Sequence, residues 1–176
     1  YWRHRPAARC YGLEIWQDGV KVRDFKPCLY DGKGMLYDEV TQMIYRPSPD
    51  IPVSRTGKVV LSGEEKPAQY VDYVESDGTI FVDTGVIGKS GTKAELDVTF
   101  LEDKDRGCLD SRSGNNRFYL FHNGSTEYGI LYGYGAYLNI GTPSVGTRYH
   151  VESSLFTGSP RVWRNGELKG NGGRAT

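Results

Sequence analysis

Cysteine, methionine and histidine are scarce in this chain, and long apolar runs are absent. Its 176 residues include three cysteines, two methionines and three histidines. An odd cysteine count (Cys10, Cys28, Cys108) leaves at least one thiol free or paired between molecules, which excludes a dense disulfide framework and leaves the redox compartment open. His4, His122 and His150 are scattered, with no His-x-x-x-His or Cys-x-x-Cys spacing, so no local zinc signature exists and no metal is assigned. No apolar stretch approaches the roughly 18 residues of a membrane span, so membrane insertion is not expected. Nor does one charge sign dominate: 22 basic residues face 22 acidic ones. A neutral chain has no electrostatic case for nucleic acid or an anionic membrane surface. No signal peptide is visible, and the chain opens at Tyr1-Trp2-Arg3 without an initiator Met, as a fragment or a processed product would. No segment carries a 3.6-residue apolar period over three turns.

What the chain does hold is glycine and tyrosine, 23 and 13 residues respectively. Its length fits one domain, or one domain with a linker. Abundant glycine among aromatic and β-branched runs predicts many short strands joined by tight turns. Residues 9–28 read as a hairpin about Asp18-Gly19, because a type I′ turn needs positive φ at both central residues. A two-residue loop puts Gln17 opposite Val20, Trp16 opposite Lys21, Ile15 opposite Val22 and Glu14 opposite Arg23. One face then carries Tyr11, Leu13, Ile15, Val20 and Val22 as core. The other carries a Glu14–Arg23 ion pair and a Trp16–Lys21 cation–π contact. In that register Cys10 lies opposite Pro27, so a Cys10–Cys28 disulfide needs a bulge or a break in pairing.

Residues 29–45 predict a second hairpin, with Met35-Leu36-Tyr37 and Met43-Ile44-Tyr45 about a polar turn. Residues 46–69 are proline-rich and then polar, and read as a linker or surface excursion. From Tyr70 short strands are expected at Tyr70–Ser76, Thr79–Thr84, Thr92–Leu101, Arg106–Ser111, Arg117–Asn123, Glu127–Tyr132, Ala136–Ile140, Thr147–Phe156 and Pro160–Trp163. Gly, Asn, Asp or Ser punctuates nearly every gap. Such spacing predicts an all-β chain, an antiparallel two-sheet β-sandwich.

Two stretches resemble the concanavalin A-like, laminin-G-like jelly-roll modules of bacterial and phage surface proteins. Tyr73-Val-Glu-Ser-Asp-Gly-Thr-Ile-Phe-Val-Asp-Thr-Gly85, followed by Lys93-Ala-Glu-Leu-Asp-Val-Thr-Phe100, is similar to the pattern that opens that domain. Residues 8–28, followed by Gly34-Met-Leu-Tyr-Asp-Glu-Val40, are similar to the pattern that closes it. Arg161-Val-Trp-Arg-Asn-Gly-Glu-Leu168 resembles the hairpin just before the close. The resemblance implies closing strands in residues 1–45, the excursion at 46–69, and opening and middle strands in 70–176. This order is inverted, and roughly ten family residues before the closing part are absent. Three arrangements fit: parts of two tandem repeats, a chain that closes on itself, and copies that complete one another. The resemblance implies a non-catalytic carbohydrate-binding or adhesion module, extracellular or cell-surface, with a glycan and copies of itself as partners. A structural repeat assembling into a fibre by strand exchange is the alternative.

The same fold hosts laminarinase-like glycosidases, whose carboxylates alternate along one strand. Here Glu95-Leu-Asp97 is followed by Thr99 where that pattern has a third carboxylate. A solvated face opposite Leu96 and Val98 is therefore the expectation, and the chain is not read as an enzyme. Calcium could be offered Asp103, Asp105 or Asp110, yet no Asp-x-Asp-x-Asp-Gly loop exists. The tract from Tyr128 to Tyr137 is the ligand candidate. Sugars stack on aromatic rings, and Tyr128, Tyr132, Tyr134 and Tyr137 alternate with small glycines that leave room for one. The alternative is plain sheet cover with glycine at bulges. Trp16 is a further aromatic platform, with hairpin packing as its alternative.

Overall fold

The computed structural model describes residues 7–47, 69–78, 82–102, 106–113, 116–123, 127–132, 136–139, 144–155 and 161–171, with residues 106–139 described as backbone. The strands in chain order are β1 (Ala7–Gln17), β2 (Val20–Tyr30), β3 (Lys33–Asp38), β4 (Met43–Tyr45), β5 (Gln69–Tyr70), β6 (Val74–Asp77), β7 (Thr92–Phe100), β8 (Arg106–Ser113), β9 (Asn116–Asn123), β10 (Glu127–Tyr132), β11 (Ala136–Asn139), β12 (Arg148–Leu155), β13 (Arg161–Arg164) and β14 (Glu167–Asn171). The chain is all-β, with no helix among the described residues. Among the described residues no helix is long and apolar enough to cross a membrane.

Ten strands form one antiparallel sheet in the order β14-β13-β12-β7-β1-β2-β3-β4, with β5 added on β2 and β6 on β1. A four-stranded antiparallel sheet runs β11-β10-β9-β8. The amino-terminal strand β1 lies between β2 and β7 within one chain, pairing with β7 from Ala8↔Phe100 to Gln17↔Thr92. The excursion expected over 46–69 falls at 48–68 outside the described residues.

Turn chemistry dictates the first hairpin as expected: Asp18 and Gly19 have φ of 53° and 80°. Asp31-Gly32 and Asn165-Gly166 repeat the same positive-φ pair at the β2–β3 and β13–β14 turns. The Asp31-Gly32 turn changes the expected second hairpin: residues 29 and 30 complete β2, and β1 to β4 form a continuous meander.

The β1–β2 register holds at Gln17↔Val20 and Trp16↔Lys21, then shifts at a bulge, giving Ile15↔Arg23, Glu14↔Asp24 and Leu13↔Phe25. The expected Ile15–Val22 and Glu14–Arg23 pairings are therefore not formed. An unbroken ladder would put Phe25 on the solvent face; one extra residue flips the rest of β2 and sends Phe25 inward beside Leu13 and Ile15. Burying a phenylalanine ring contributes about 1.5–3 kcal/mol, more than the cross-strand ion pair it displaces. Val20 does not join the core. It sits at the hairpin tip, 64% exposed. Tyr11 also leaves the expected core face. A second bulge between Cys10 and Gly12 in the β1–β7 ladder turns it outward, where its hydroxyl meets Thr99 Oγ1 at 3.2 Å.

The buried layer of the ten-stranded sheet is built by alternation: Ala94, Leu96, Val98 and Phe100 from β7, Tyr149 and Val151 from β12, Leu13 and Ile15 from β1. A smaller cluster of Cys28, Met35, Tyr37 and Ile44 fills the other side of β3, so that strand is buried on both faces. Cys10 and Cys28 are both free thiols in these two different clusters, which settles against the disulfide. Of the strand expected over 79–84, residues 82–84 are loop. Asp83 accepts the Gly85 N–H at 2.8 Å, Thr84 Oγ1 accepts the Val86 N–H, and Arg23 donates to the Thr84 carbonyl. Side chains thus satisfy the backbone there in place of a ladder.

Asp38 is fully buried at the end of β3. Its Oδ1 accepts the Asp24 N–H at 2.8 Å and the Val40 N–H at 3.2 Å. Its Oδ2 accepts the Thr41 hydroxyl at 2.6 Å and lies 3.7 Å from Arg23 Nε. A buried carboxylate is tolerable only with such partners. This one fixes where β2 continues past its bulge.

Candidate functional site

The residues opposite the buried layer form a continuous outer face. From β7 come Lys93, Glu95 and Asp97, alternating with the buried positions, and then Thr99, itself buried and bonded to the Tyr11 hydroxyl. From β12 come Arg148, His150, Glu152 and Ser154. From β1 come Arg9, Tyr11, Glu14 and Trp16. Past its bulge, β2 adds Asp24 and Lys26. Glu95 and Asp97 thus take the face expected of them, opposite Leu96 and Val98.

Register aligns this face into rows. Asp24 is opposite Glu14, Glu14 opposite Glu95, Glu95 opposite Glu152, and Glu152 opposite Trp163. Four carboxylates therefore stand in line across β2, β1, β7 and β12. Directly opposed like charges are destabilising. The next row supplies cations about an indole: Lys21, Trp16, Lys93, then Ser154. On the other side Asp97 is opposite His150.

The ion pairs track those rows. Lys21 Nζ lies 2.5 Å from Glu14 and 3.1 Å from Asp24. Lys26 lies 2.6 Å from Asp24 and 3.6 Å from Glu14. Two carboxylates on the β2–β1 side therefore have two lysines. On the β7–β12 side, among the described residues, one lysine, Lys93, serves both Glu95, at 2.7 Å, and Glu152, at 3.4 Å. His150 Nδ1 is 3.0 Å from Asp97, which also takes Arg148 at 2.9 Å, and His150 Nε2 is 3.9 Å from Glu95. Burial disfavours the Lys93 ammonium, but Glu95 and Glu152 overcome it and its pKa lies above the ordinary lysine value. Burial likewise disfavours the Asp24 carboxylate, and Lys26 and Lys21 overcome it, holding its pKa below the usual range.

Aromatic rings are set among these charges. Lys21 and Lys93 lie over the Trp16 ring at 5.2 and 4.9 Å from its centroid. The cation–π contact expected with Lys21 is present, doubled by a lysine from β7. Arg9 covers Tyr73 at 4.8 Å, Tyr73 meets Tyr11 with centroids 5.5 Å apart, and Arg148 covers Tyr11 at 4.0 Å. A cation–ring–ring–cation ladder thus crosses the sheet beside the carboxylate row.

Of the ligand candidates read from the sequence, Trp16 lies on this face. Tyr128 and Tyr132 lie on β10 and Tyr137 on β11, in the four-stranded sheet, and Tyr134 lies outside the described residues. Tyr137 pairs with Leu131, one position out of step with Tyr132, which pairs with Ala136. The calcium candidates Asp103 and Asp105 lie outside the described residues, as does His4. Arg148, Glu152 and Tyr73 are not site candidates in the sequence, and His150 is set aside there for want of metal-ligand spacing. The polar alternation Arg148-x-His150-x-Glu152 is visible in the chain, but only the β7–β12 register brings it onto Glu95 and Asp97.

Chemically, the face can hold cations between paired carboxylates, and it offers charged donors and acceptors around aromatic edges. Among the described residues Glu95, His150 and Glu152 each present one ligand atom, all within 4.8 Å of one another. The chain matches no family model, no curated protein and no solved structure.

Proposed function

We propose that the chain is a non-catalytic carbohydrate-binding or adhesion module of a secreted or surface-borne protein, built as a two-layer β-sandwich of the concanavalin A-like, laminin-G-like kind. Its glycan surface is the outer face of the ten-stranded sheet. One observation carries the reading: a broad polar sheet face on which Tyr11 and Tyr73 are interleaved with Arg9, Arg148 and Asp97. Sugars need this combination, an apolar ring for their C–H faces and charged partners for their hydroxyls. Tyr73, 39% exposed, is the most accessible ring of that ladder. Trp16 supports it from between two lysines.

A glycan array tests the reading. Binding of at least one glycan class is expected, weakened ten-fold or more by Tyr73→Ala. Tyr132→Ala probes the β10–β11 tract in parallel. A silent array, or binding indifferent to Tyr73→Ala, Tyr11→Ala and Trp16→Ala alike, would remove this face as the glycan surface.

A further inference from the structure

The two ends of the carboxylate row are not equivalent. At the β2 end, Asp24 and Glu14 share Lys21 and Lys26. At the β12 end, Glu95 and Glu152 share Lys93. Asp97 adds a third carboxylate nearby, but its partners are Arg148 and His150 Nδ1. Among the described residues the opposed pair Glu95–Glu152 thus shares one lysine, on adjacent strands where like charges repel.

Imidazole is the other component. His150 spends Nδ1 on Asp97 at 3.0 Å, and its Nε2 is the nitrogen that approaches Glu95. A carboxylate holding one ring N–H fixes the tautomer so that the second nitrogen carries a free lone pair, the usual support of a metal-bound histidine. Ser154 supplies an observation outside the ionic group. It comes two residues after Glu152 on the same face of β12, opposite Lys93, and is 2% exposed, yet its hydroxyl has no partner among the described residues. Buried hydroxyls are nearly always satisfied, and an unsatisfied one in the row next to the Glu95–Glu152 pair leaves a polar group for a water or ligand to meet.

We propose that Glu95, His150 and Glu152 form a binding site for a divalent transition-metal ion of the zinc class, with Asp97 as the positioning residue that orients His150. Two carboxylate oxygens and one imidazole nitrogen are a borderline donor set, suited to zinc and its neighbours and poor for calcium, which takes six to eight oxygens. Zinc–ligand bonds of about 2.0–2.2 Å in a tetrahedron put ligand atoms roughly 3.4 Å apart. Side-chain rotation closes the present spacing to that value, since all three residues are partly exposed. The fourth position stays open to water. Lys93 is the built-in competitor: its ammonium occupies the same two carboxylates, and the ion displaces it toward the Trp16 ring it already lies over. The site stands on its own geometry and does not depend on glycan binding by the same face.

Calorimetric titration of the whole chain with zinc chloride tests it, with calcium chloride as control. One zinc per chain is expected, and no competition from millimolar calcium. His150→Ala should weaken zinc at least ten-fold; its side chain is 43% exposed, so the variant is expected to keep the parent's circular dichroism spectrum. Glu152→Gln should weaken it similarly, whereas Lys93→Met should tighten it several-fold by removing the competitor. The ring signals in nuclear magnetic resonance identify the ligand among His4, His122 and His150. Only those of His150 should report coordination through Nε2. Asp97→Asn should weaken zinc less than His150→Ala and alter the His150 tautomer ratio in the metal-free protein. Zinc binding unchanged by His150→Ala, or none in either the parent chain or Lys93→Met, overturns the proposal.

Discussion

Replacing Asp38 by asparagine tests how β2 is steered past its bulge. The carboxylate is fully buried and accepts two backbone N–H groups, from Asp24 and Val40, and one hydroxyl, from Thr41, at 2.6–3.2 Å. Arg23 stands 3.7 Å from it as counter-charge. Each hydrogen bond to a charged acceptor contributes about 1.5–3 kcal/mol, and removing one member of a buried ion pair costs about 3–5 kcal/mol. Asparagine keeps the shape and one acceptor oxygen, so the two N–H groups stay paired. It loses the charge facing Arg23 and turns an amide toward Thr41, whose hydroxyl can rotate to accept. The expected loss is about 2–3 kcal/mol for Asp38→Asn, about 3–5 kcal/mol for Asp38→Ala, and about 1 kcal/mol for the control Thr41→Val, which removes one hydrogen bond. Urea unfolding reads these values as a shift in midpoint at constant slope. Amide exchange at Asp24 and Val40 should accelerate in the alanine variant and much less in the asparagine one. The reasoning fails if Asp38→Asn stays within about 0.5 kcal/mol of the parent, or if Thr41→Val costs as much as Asp38→Ala.

Phe25→Ala should lose about 3–5 kcal/mol in the same assay, and Val20→Ala less than about 0.5 kcal/mol, because the bulge buries the first and leaves the second at an exposed tip. Burial pushes the thiols of Cys10 and Cys28 up to about 11, so at neutral pH a disulfide reagent should label at most one of the three cysteines rapidly until the chain is unfolded. The folded pKa of Asp24 is depressed below its unfolded value. Its contribution is therefore complete above the ordinary carboxylate range and lost as pH falls through the folded value. In acid titrations of stability, Asp24→Asn should be less stable than the parent at pH 7, with the gap closing at strongly acidic pH.

Much of the strand map was legible because its signals are local. Asp18-Gly19 and Asn165-Gly166 set their turns through backbone φ, and Ala94 to Phe100 sets its faces through a period of two. What failed was register. The bulges at Ile15/Trp16 and Cys10/Gly12 are each one residue long, and each reverses the face of the residues beyond it. Nothing in the β1 or β2 sequence alone fixes them. They are decided by whether Phe25, with Arg23 beside it reaching Asp38, goes inward in place of Asp24, and by the contacts that Arg9, Tyr73 and Arg148 make around Tyr11. The candidate site was hidden for the same reason. Glu95 and His150 are distant in the chain, and only the pairing of β7 with β12 makes them neighbours. Glu95 and Asp97 could be placed on the outer face from alternation, but not the company they keep there.

That company also predicts a conflict between stability and binding. If the outer face were selected for stability alone, opposed positions would alternate in sign, since opposite charges across a ladder contribute tenths of a kcal/mol and like charges cost as much. The row Asp24–Glu14–Glu95–Glu152 does the reverse at each of its three steps. Glu95 is one of its two inner positions and is opposed on both sides by glutamate. A lysine there would turn two repulsive pairs into two attractive ones, at the expense of its contact with Lys93 two residues away. The balance favours Glu95→Lys by about 0.5–1 kcal/mol in urea at low salt, fading as salt screens the face. The same change removes a ligand and places a cation where zinc would sit, so zinc binding should vanish as stability rises. A loss of about 1 kcal/mol or more would mean that Lys93 already resolves the repulsion and that the row is an ordinary solvated face. A gain in stability with zinc binding intact would separate the frustration of the row from the metal site and leave it needing another cause.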